Sequence, residues 1–155
     1  MKNKILITGT RSGLGEFLSK KYPNPICITR ENPLTDEIIS EGVDTIIHCA
    51  FNQNMSELNL VNYKIYEDNI NLTKKLLKIP HRRFVYISTC QVSELNSKSQ
   101  PTPYIIMKAL NEHIIREQSK NYLILRPSGL VGDDKKRNSL HKLMNNEDIT
   151  LTGES

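Results

Sequence analysis

The sequence predicts an α/β fold, a doubly wound parallel sheet with helices packed on both faces. Three observations carry that expectation. Strand and helix signals alternate along the chain, the strands are short continuous apolar runs, and the first of them enters a helix through a glycine-rich turn. Strands buried on both faces lose the alternation of half-buried ones, and parallel neighbours are joined by right-handed crossovers. The 155 residues suit one domain with a sizeable core.

The first strand spans 5–7 and runs into Thr8-Gly9-Thr10-Arg11-Ser12-Gly13-Leu14-Gly15. This is the strand–turn–helix arrangement that holds a dinucleotide pyrophosphate. Gly9 permits the tight turn, Gly13 lets backbone approach the phosphates, and Gly15 lets the helix lie close on the sheet. The free amides and dipole at the helix start attract the anion.

The first helix covers 14–22 and is ended by Pro23 and Pro25; a second strand covers 26–29. A short helix over 35–41 has Thr35 as its cap and Gly42 beyond its end. The third strand is 45–50. Residues 57–79 are largely helical, with apolar Tyr66, Ile70, Leu76 and Leu77, and stop at Pro80. A fourth strand at 84–88, a loop at 93–103, a helix at 104–119 and a fifth strand at 123–126, closed by Pro127, complete the pattern.

Composition narrows the function. Hydrophobic content of 37% and charged content of 25% suit a globular protein. No stretch approaches the roughly 18 apolar residues of a membrane helix, and Met1-Lys2-Asn3-Lys4 does not open a signal peptide. A cytoplasmic location and no membrane partner are expected. Cys27, Cys49 and Cys90 are widely spaced, without metal-ligand partners, and read as small core residues; no metal is expected. The net charge of +4 is scattered in short runs such as Lys74-Lys75, Arg82-Arg83 and Lys135-Lys136-Arg137. No aromatic residues interleave with them, so solvated faces explain them better than nucleic acid does.

Two features carry chemistry. Tyr104 and Lys108 stand four apart on a predicted helix and project from one face. A phenol acting near neutral pH must lose about three units from its ordinary pKa of about 10, on the order of 4 kcal/mol. A lysine together with an oxidised nicotinamide ring could supply that. Ser88-Thr89 lies at the carboxyl end of the fourth strand, the sheet edge where ligands bind in open parallel sheets. A hydroxyl there can fix a substrate alcohol or carbonyl.

These pieces resemble the short-chain dehydrogenase/reductase superfamily, specifically its extended branch of NAD(P)-dependent epimerases, dehydratases and reductases of nucleotide sugars. The matching segments occur in the family's order: Thr8-Gly9 with Gly13 and Gly15; Asp44-Thr45-Ile46-Ile47-His48-Cys49-Ala50; Asn69-Ile70 with Thr73; Arg83-Phe84-Val85-Tyr86-Ile87-Ser88-Thr89 and Val92; Tyr104 with Lys108; and Leu125-Arg126-Pro127. The interval between the second and third strands lacks one βα unit and is similar to that of the dTDP-4-dehydrorhamnose reductase group. The resemblance implies a Rossmann fold over 1–132, with 133–155 beginning a C-terminal substrate domain that is truncated or absent.

It also implies roles. Tyr104 would be the proton donor/acceptor, Lys108 would lower its pKa and bind the nicotinamide ribose, and Thr89 would hold the reacting hydroxyl or carbonyl. Cofactor contacts would come from Gly9, Arg11, Ser12, Gly13, Leu14 and Gly15, from Arg30, from His48 and Ala50, from Asn69 and from Lys108. Arg30 follows the second strand, where NAD-preferring members carry an acidic residue; with Arg11 it suits a 2′-phosphate, so NADP is the preferred cofactor. Glu31 keeps NAD open, and His48 could equally be a core residue. A nucleotide-sugar substrate and a homodimer through a four-helix interface of 57–79 and 104–119 are the implied partners.

Some positions depart from the family. Ser12 stands where extended members carry glycine, Val92-Ser93-Glu94 replaces Val-Tyr-Gly, and Gly129 replaces an asparagine after Arg126-Pro127. Two other readings therefore stay open: a non-catalytic dinucleotide-binding or regulatory module, and a single-domain carbonyl reductase.

Overall fold

The computed structural model describes residues 4–53, 63–96 and 100–128. In chain order these form β1 (Ile5–Thr8), α1 (Gly13–Lys21), β2 (Ile26–Ile28), α2 (Asp36–Glu41) and β3 (Val43–His48). There follow α3 (Tyr63–Tyr66), a π-helical stretch (Glu67–Asn71), α4 (Leu72–Leu77) and β4 (His81–Ile87). A 3-10 segment (Cys90–Asn96), α5 (Pro103–Gln118) and β5 (Tyr122–Leu125) complete the described chain.

The five strands make one parallel sheet in the order β2-β1-β3-β4-β5. The chain winds outward from β1 to β2 and then back to β3 on the other side, so the topological switch lies between β1 and β3. Ligands enter such sheets at that point, outside the carboxyl ends of the strands. Register aligns Ile28, Thr8, His48, Tyr86 and Ile124 in one row across the sheet, one step before that edge.

The central strands β1 and β3 are buried on both faces, as their composition requires, whereas β5 at the sheet edge exposes Tyr122, Leu123 and Leu125. Leu6 and Ile7, adjacent and pointing opposite ways, are both fully buried. One core cluster joins Leu6, Ile46, Phe84 and Tyr86 to Leu76 and Ile115 of the covering helices; a second gathers Ile65, Ile70, Met107 and Ile114.

Several boundaries move. Of the helix expected over 57–79, residues 57–62 lie outside the described residues, and the remainder is broken by the π-helical stretch. The widened turn carries Asn69, whose backbone oxygen accepts from Thr73 Oγ1 and from Asn111 Nδ2, both at 3.0 Å. Thr102, not Tyr104, sets the start of α5: its side chain accepts from the Ile105 amide, and Pro103 follows in the first turn. Part of the loop expected over 93–103 is the end of the 3-10 segment. Thr35 caps α2 as anticipated, and the three cysteines are free.

Candidate functional site: a cleft at the switch point

The turn after β1 is shaped by contacts that exclude a Cβ. Gly9 has φ +75°, and a Cβ on it would come within 2.8 Å of the Ala50 amide. A Cβ on Gly15 would lie 2.3 Å from the Gly9 carbonyl, so α1 rests directly on the turn. Ser12 is the N-cap of α1 but its side chain makes no capping hydrogen bond. The Ser12 side chain thus leaves the first amides of the helix uncapped, and a free helix start favours a phosphate.

A cleft of about 580 Å³ opens at this edge, a size that suits a nucleotide-like ligand. Gly9, Thr10, Arg11 and Ser12 form one wall and Ala50, Phe51, Asn52 and Gln53 another. Its end beside β2 is apolar, with Ile28, Pro33, Leu34 and Leu72, and its rim is charged, with Arg11, Arg30, Glu67, Asp68 and Lys75. Gly13, Leu14 and Gly15 stand in the first turn of α1 and do not line it. Phosphate-ready amides, an apolar slot and a basic rim together fit a dinucleotide.

The two rim arginines are each tied to a carboxylate. Arg11 pairs with Glu31, and Arg30 reaches from the end of β2 to Asp68 at 2.7 Å. Asp68 also accepts from Asn52 Nδ2 at 2.9 Å. Such exposed pairs are worth only about 0.2–1 kcal/mol, so an incoming phosphate can displace them.

His48 and Asn69 do not line the cleft; they hold its wall from behind. His48 is fully buried, 2.7 Å from Thr8 Oγ1 through Nδ1 and 2.9 Å from Thr73 Oγ1 through Nε2. Thr73 spends its proton on the Asn69 carbonyl, so it accepts from Nε2–H, and Thr8 donates to Nδ1. Both ring nitrogens are thereby used, and burial pushes the imidazole down to about 3. Of the two roles open to His48, these contacts are those of a core residue: it fixes Thr8, whose hydroxyl accepts from the Ala50 amide at 3.0 Å. Asn69, also fully buried, accepts from the Asn52 amide at 2.7 Å and donates to the Asn52 carbonyl at 3.3 Å.

At the adjoining edge Thr89, Tyr104 and Lys108 come together. Thr89 follows β4 and acts on the Tyr104 phenol, favouring its ionised form. Lys108 lies one helical turn beyond Tyr104 and is 4% exposed. Its Nζ donates to the Ile87 carbonyl at 2.7 Å and sits 4.4, 5.0 and 5.9 Å from the ring centres of Phe51, Tyr86 and Tyr104. Burial lowers Lys108 to about 8. Burial holds the Tyr104 phenol above its ordinary value, and Thr89 opposes that shift. The ammonium is directed at the Ile87 carbonyl.

Two residues escaped the sequence reading. Phe51, directly after Ala50, lines the cleft and meets the Tyr104 ring edge-on at 5.2 Å. Glu112 extends the Tyr104–Lys108 ladder by one more turn and is fully buried. It accepts from Ser88 Oγ at 2.6 Å, from Arg126 Nε and Nη2 at 2.8 and 2.6 Å, and from Arg116 at 2.8 Å. These partners hold its carboxyl down at about 2 against the opposing effect of burial. The spacing 104, 108, 112 was a signal for Glu112; nothing in the sequence distinguished Phe51 from a core aromatic.

Comparison with known proteins accords with this geometry. The dTDP-4-dehydrorhamnose reductase from Bacillus anthracis str. Ames, solved in complex with NADP, superposes with a TM-score of 0.72 at 21% identity, over 94% of this chain and 60% of that one. The same enzyme from Yersinia enterocolitica gives 0.72 at 22% identity, over 94% and 60%. The UDP-glucuronic acid 4-epimerase from Bacillus cereus, solved with UDP-glucuronic acid and NAD, gives 0.68 at 20% identity, over 97% and 66%. These likenesses establish the shared fold, and the chain spans about 60% of the length of the two reductases. No curated protein sequence matches the chain. The model of the NAD dependent epimerase/dehydratase family matches residues 5–147, which takes in the turn, the cleft and the Thr89–Tyr104–Lys108 cluster, and the chain belongs to that family.

Proposed function

We propose that this chain is the dinucleotide-binding and proton-transferring part of an NAD(P)-dependent epimerase, dehydratase or reductase acting on a nucleotide sugar. The observation that carries this reading is the convergence of Tyr104 and Lys108, one turn apart on α5, with the end of β4 and Thr89 at the sheet edge that adjoins the cleft. Solved relatives hold NADP in one case and UDP-glucuronic acid with NAD in another.

The amides at the start of α1, with Gly9, Arg11 and Ser12, would hold the pyrophosphate. The slot of Ile28, Pro33, Leu34 and Leu72 would take the adenine, and Ala50 would border the path toward Lys108. When bound, the cofactor supplies a hydride acceptor or donor. Thr89 orients the sugar hydroxyl or carbonyl, and the Tyr104 hydroxyl holds the proton that the oxygen gains or loses. Lys108, poised near neutrality, adds positive charge beside the phenol once its ammonium turns from Ile87. Arg30 and Arg11 favour a 2′-phosphate and hence NADP, since a phosphate offers each guanidinium stronger, bidentate bonding than its exposed carboxylate does.

A homodimer through α5 and the helices around the π-helical stretch accompanies this reading. Leu110, 38% exposed on the outer side of α5, would lie in that interface.

The test is turnover of UDP- and dTDP-hexoses with NADP and NAD by the wild-type chain and by Tyr104→Phe. Turnover by the wild type, abolished in Tyr104→Phe with cofactor affinity held within a few-fold, is the expected result. Equal turnover by both would remove Tyr104 from the chemistry.

A further inference from the structure

We propose that Phe51 is an aromatic gate between the cleft and Lys108, the residue that decides whether the far end of a bound dinucleotide reaches the lysine. This rests on the reading of the cleft as a dinucleotide site. Phe51 is the cleft residue that also touches both Tyr104 and Lys108. Its ring centre is the nearest of the three around Nζ, and with Tyr86 and Tyr104 it encloses the ammonium, leaving Lys108 4% exposed although the neighbouring cleft is open.

The backbone on either side of Phe51 is pinned. The Ala50 amide donates to Thr8 Oγ1 at 3.0 Å, and Asn52 is held at both its amide and its carbonyl by Asn69. Those anchors are buried: Thr8 and Asn69 are fully enclosed, and His48 braces Thr8. Opening is therefore a rotation of the Phe51 side chain and not a movement of the strand end, a rotamer change of the kind that partly exposed aromatic side chains undergo readily. What holds the closed position is a cation–π contact and an edge-on ring contact, both modest interactions that a ligand can replace. A nucleotide lacking the nicotinamide end would occupy the cleft without meeting the gate.

The consequence is a penalty on binding of the whole dinucleotide alone. If the open rotamer is about one-tenth populated, removing the ring tightens NADPH about tenfold and leaves ADP unchanged. The experiment compares wild type, Phe51→Ala and Phe51→Leu, the last keeping apolar volume while removing the ring. The rate of Lys108 acylation by acetic anhydride is read by mass spectrometry against exposed Lys4 in the same molecule, and NADPH and ADP are titrated separately. Faster acylation of Lys108 in both variants, larger for alanine, with tighter NADPH and unchanged ADP, is the expected result. Unchanged acylation in the folded variants overturns the gate whatever the nucleotides do, and weaker NADPH binding with faster acylation shows Phe51 to be a packing surface instead. Failure of every variant to bind either nucleotide overturns the dinucleotide reading itself; the acylation, which uses no nucleotide, tells the two failures apart.

Discussion

Single residues of the site divide into those placed to meet a ligand and those that hold such residues still. Arg30 is of the first kind: it leaves the end of β2, lines the cleft and is tied only by an exposed pair to Asp68. Arg30→Asp is expected to reverse the NADPH/NADH preference, checked by the ratio of dissociation constants; an unaltered ratio would remove Arg30 from the ribose site. His48 is of the second kind. With both nitrogens used and no exposure, it stays neutral to about pH 3, whereas the unfolded chain takes up its proton near 6.5. The unfolded state thus binds more protons below pH 6.5, so stability falls as pH drops from there toward 3. Between pH 7 and 5 this group costs about 2 kcal/mol. Urea unfolding of wild type and His48→Asn at the two pH values measures it: the wild type should lose more than the variant, and equal losses would contradict a buried neutral imidazole.

The elements explain how those residues come to their places. The turn and α1 form one unit because Gly15 lies against the Gly9 carbonyl. Gly15→Ala must push the helix from the strand, with an expected loss of about 2–3 kcal/mol from overpacking. Nucleotide affinity should fall with it; thermal melting and a nucleotide titration check both. α5 is the second such unit. Its face carries Tyr104, Lys108 and Glu112 in successive turns, and Glu112 joins it to the ends of β4 and β5 through Ser88 and Arg126. Glu112→Ala leaves Ser88 unpaired inside while the arginines reach solvent, so an expected cost is about 1–3 kcal/mol, read by urea unfolding. A change below experimental error would show the network to be incidental.

These same elements show what the sequence could and could not reveal. The strands and α1 were legible because periodicity, proline stops and glycine spacing are local signals. The π-helical stretch was not, since the partners that Asn69 meets there, Asn52 and Asn111, lie on distant parts of the chain. Thr89, Tyr104 and Lys108 were brought together where their spacing and strand-end placement suggested. The direction of the Lys108 ammonium was hidden, because it depends on Ile87 and on the ring of Phe51. His48 lay at the right strand end but turned inward, a choice made by Thr8 and Thr73 on two other elements.

For the whole molecule, the switch between β1 and β3 sets the cleft, and the next strand, β4, sets the reactive cluster beside it. The sheet thus places the cleft and the Thr89–Tyr104–Lys108 cluster at neighbouring strands, with Phe51, just beyond β3, in contact with both. Sedimentation of wild type and Leu110→Glu tests the helical interface: a dimer that becomes monomeric in the variant is expected, and an unaltered mass would remove Leu110 from it. The central claim, that this edge is a dinucleotide site, is tested most directly by titrating the 155-residue chain with NADPH and NADH and following nicotinamide fluorescence. Saturable binding, tighter for NADPH, is the expected result; absence of binding by both would contradict the claim and leave the glycine turn with an architectural role alone.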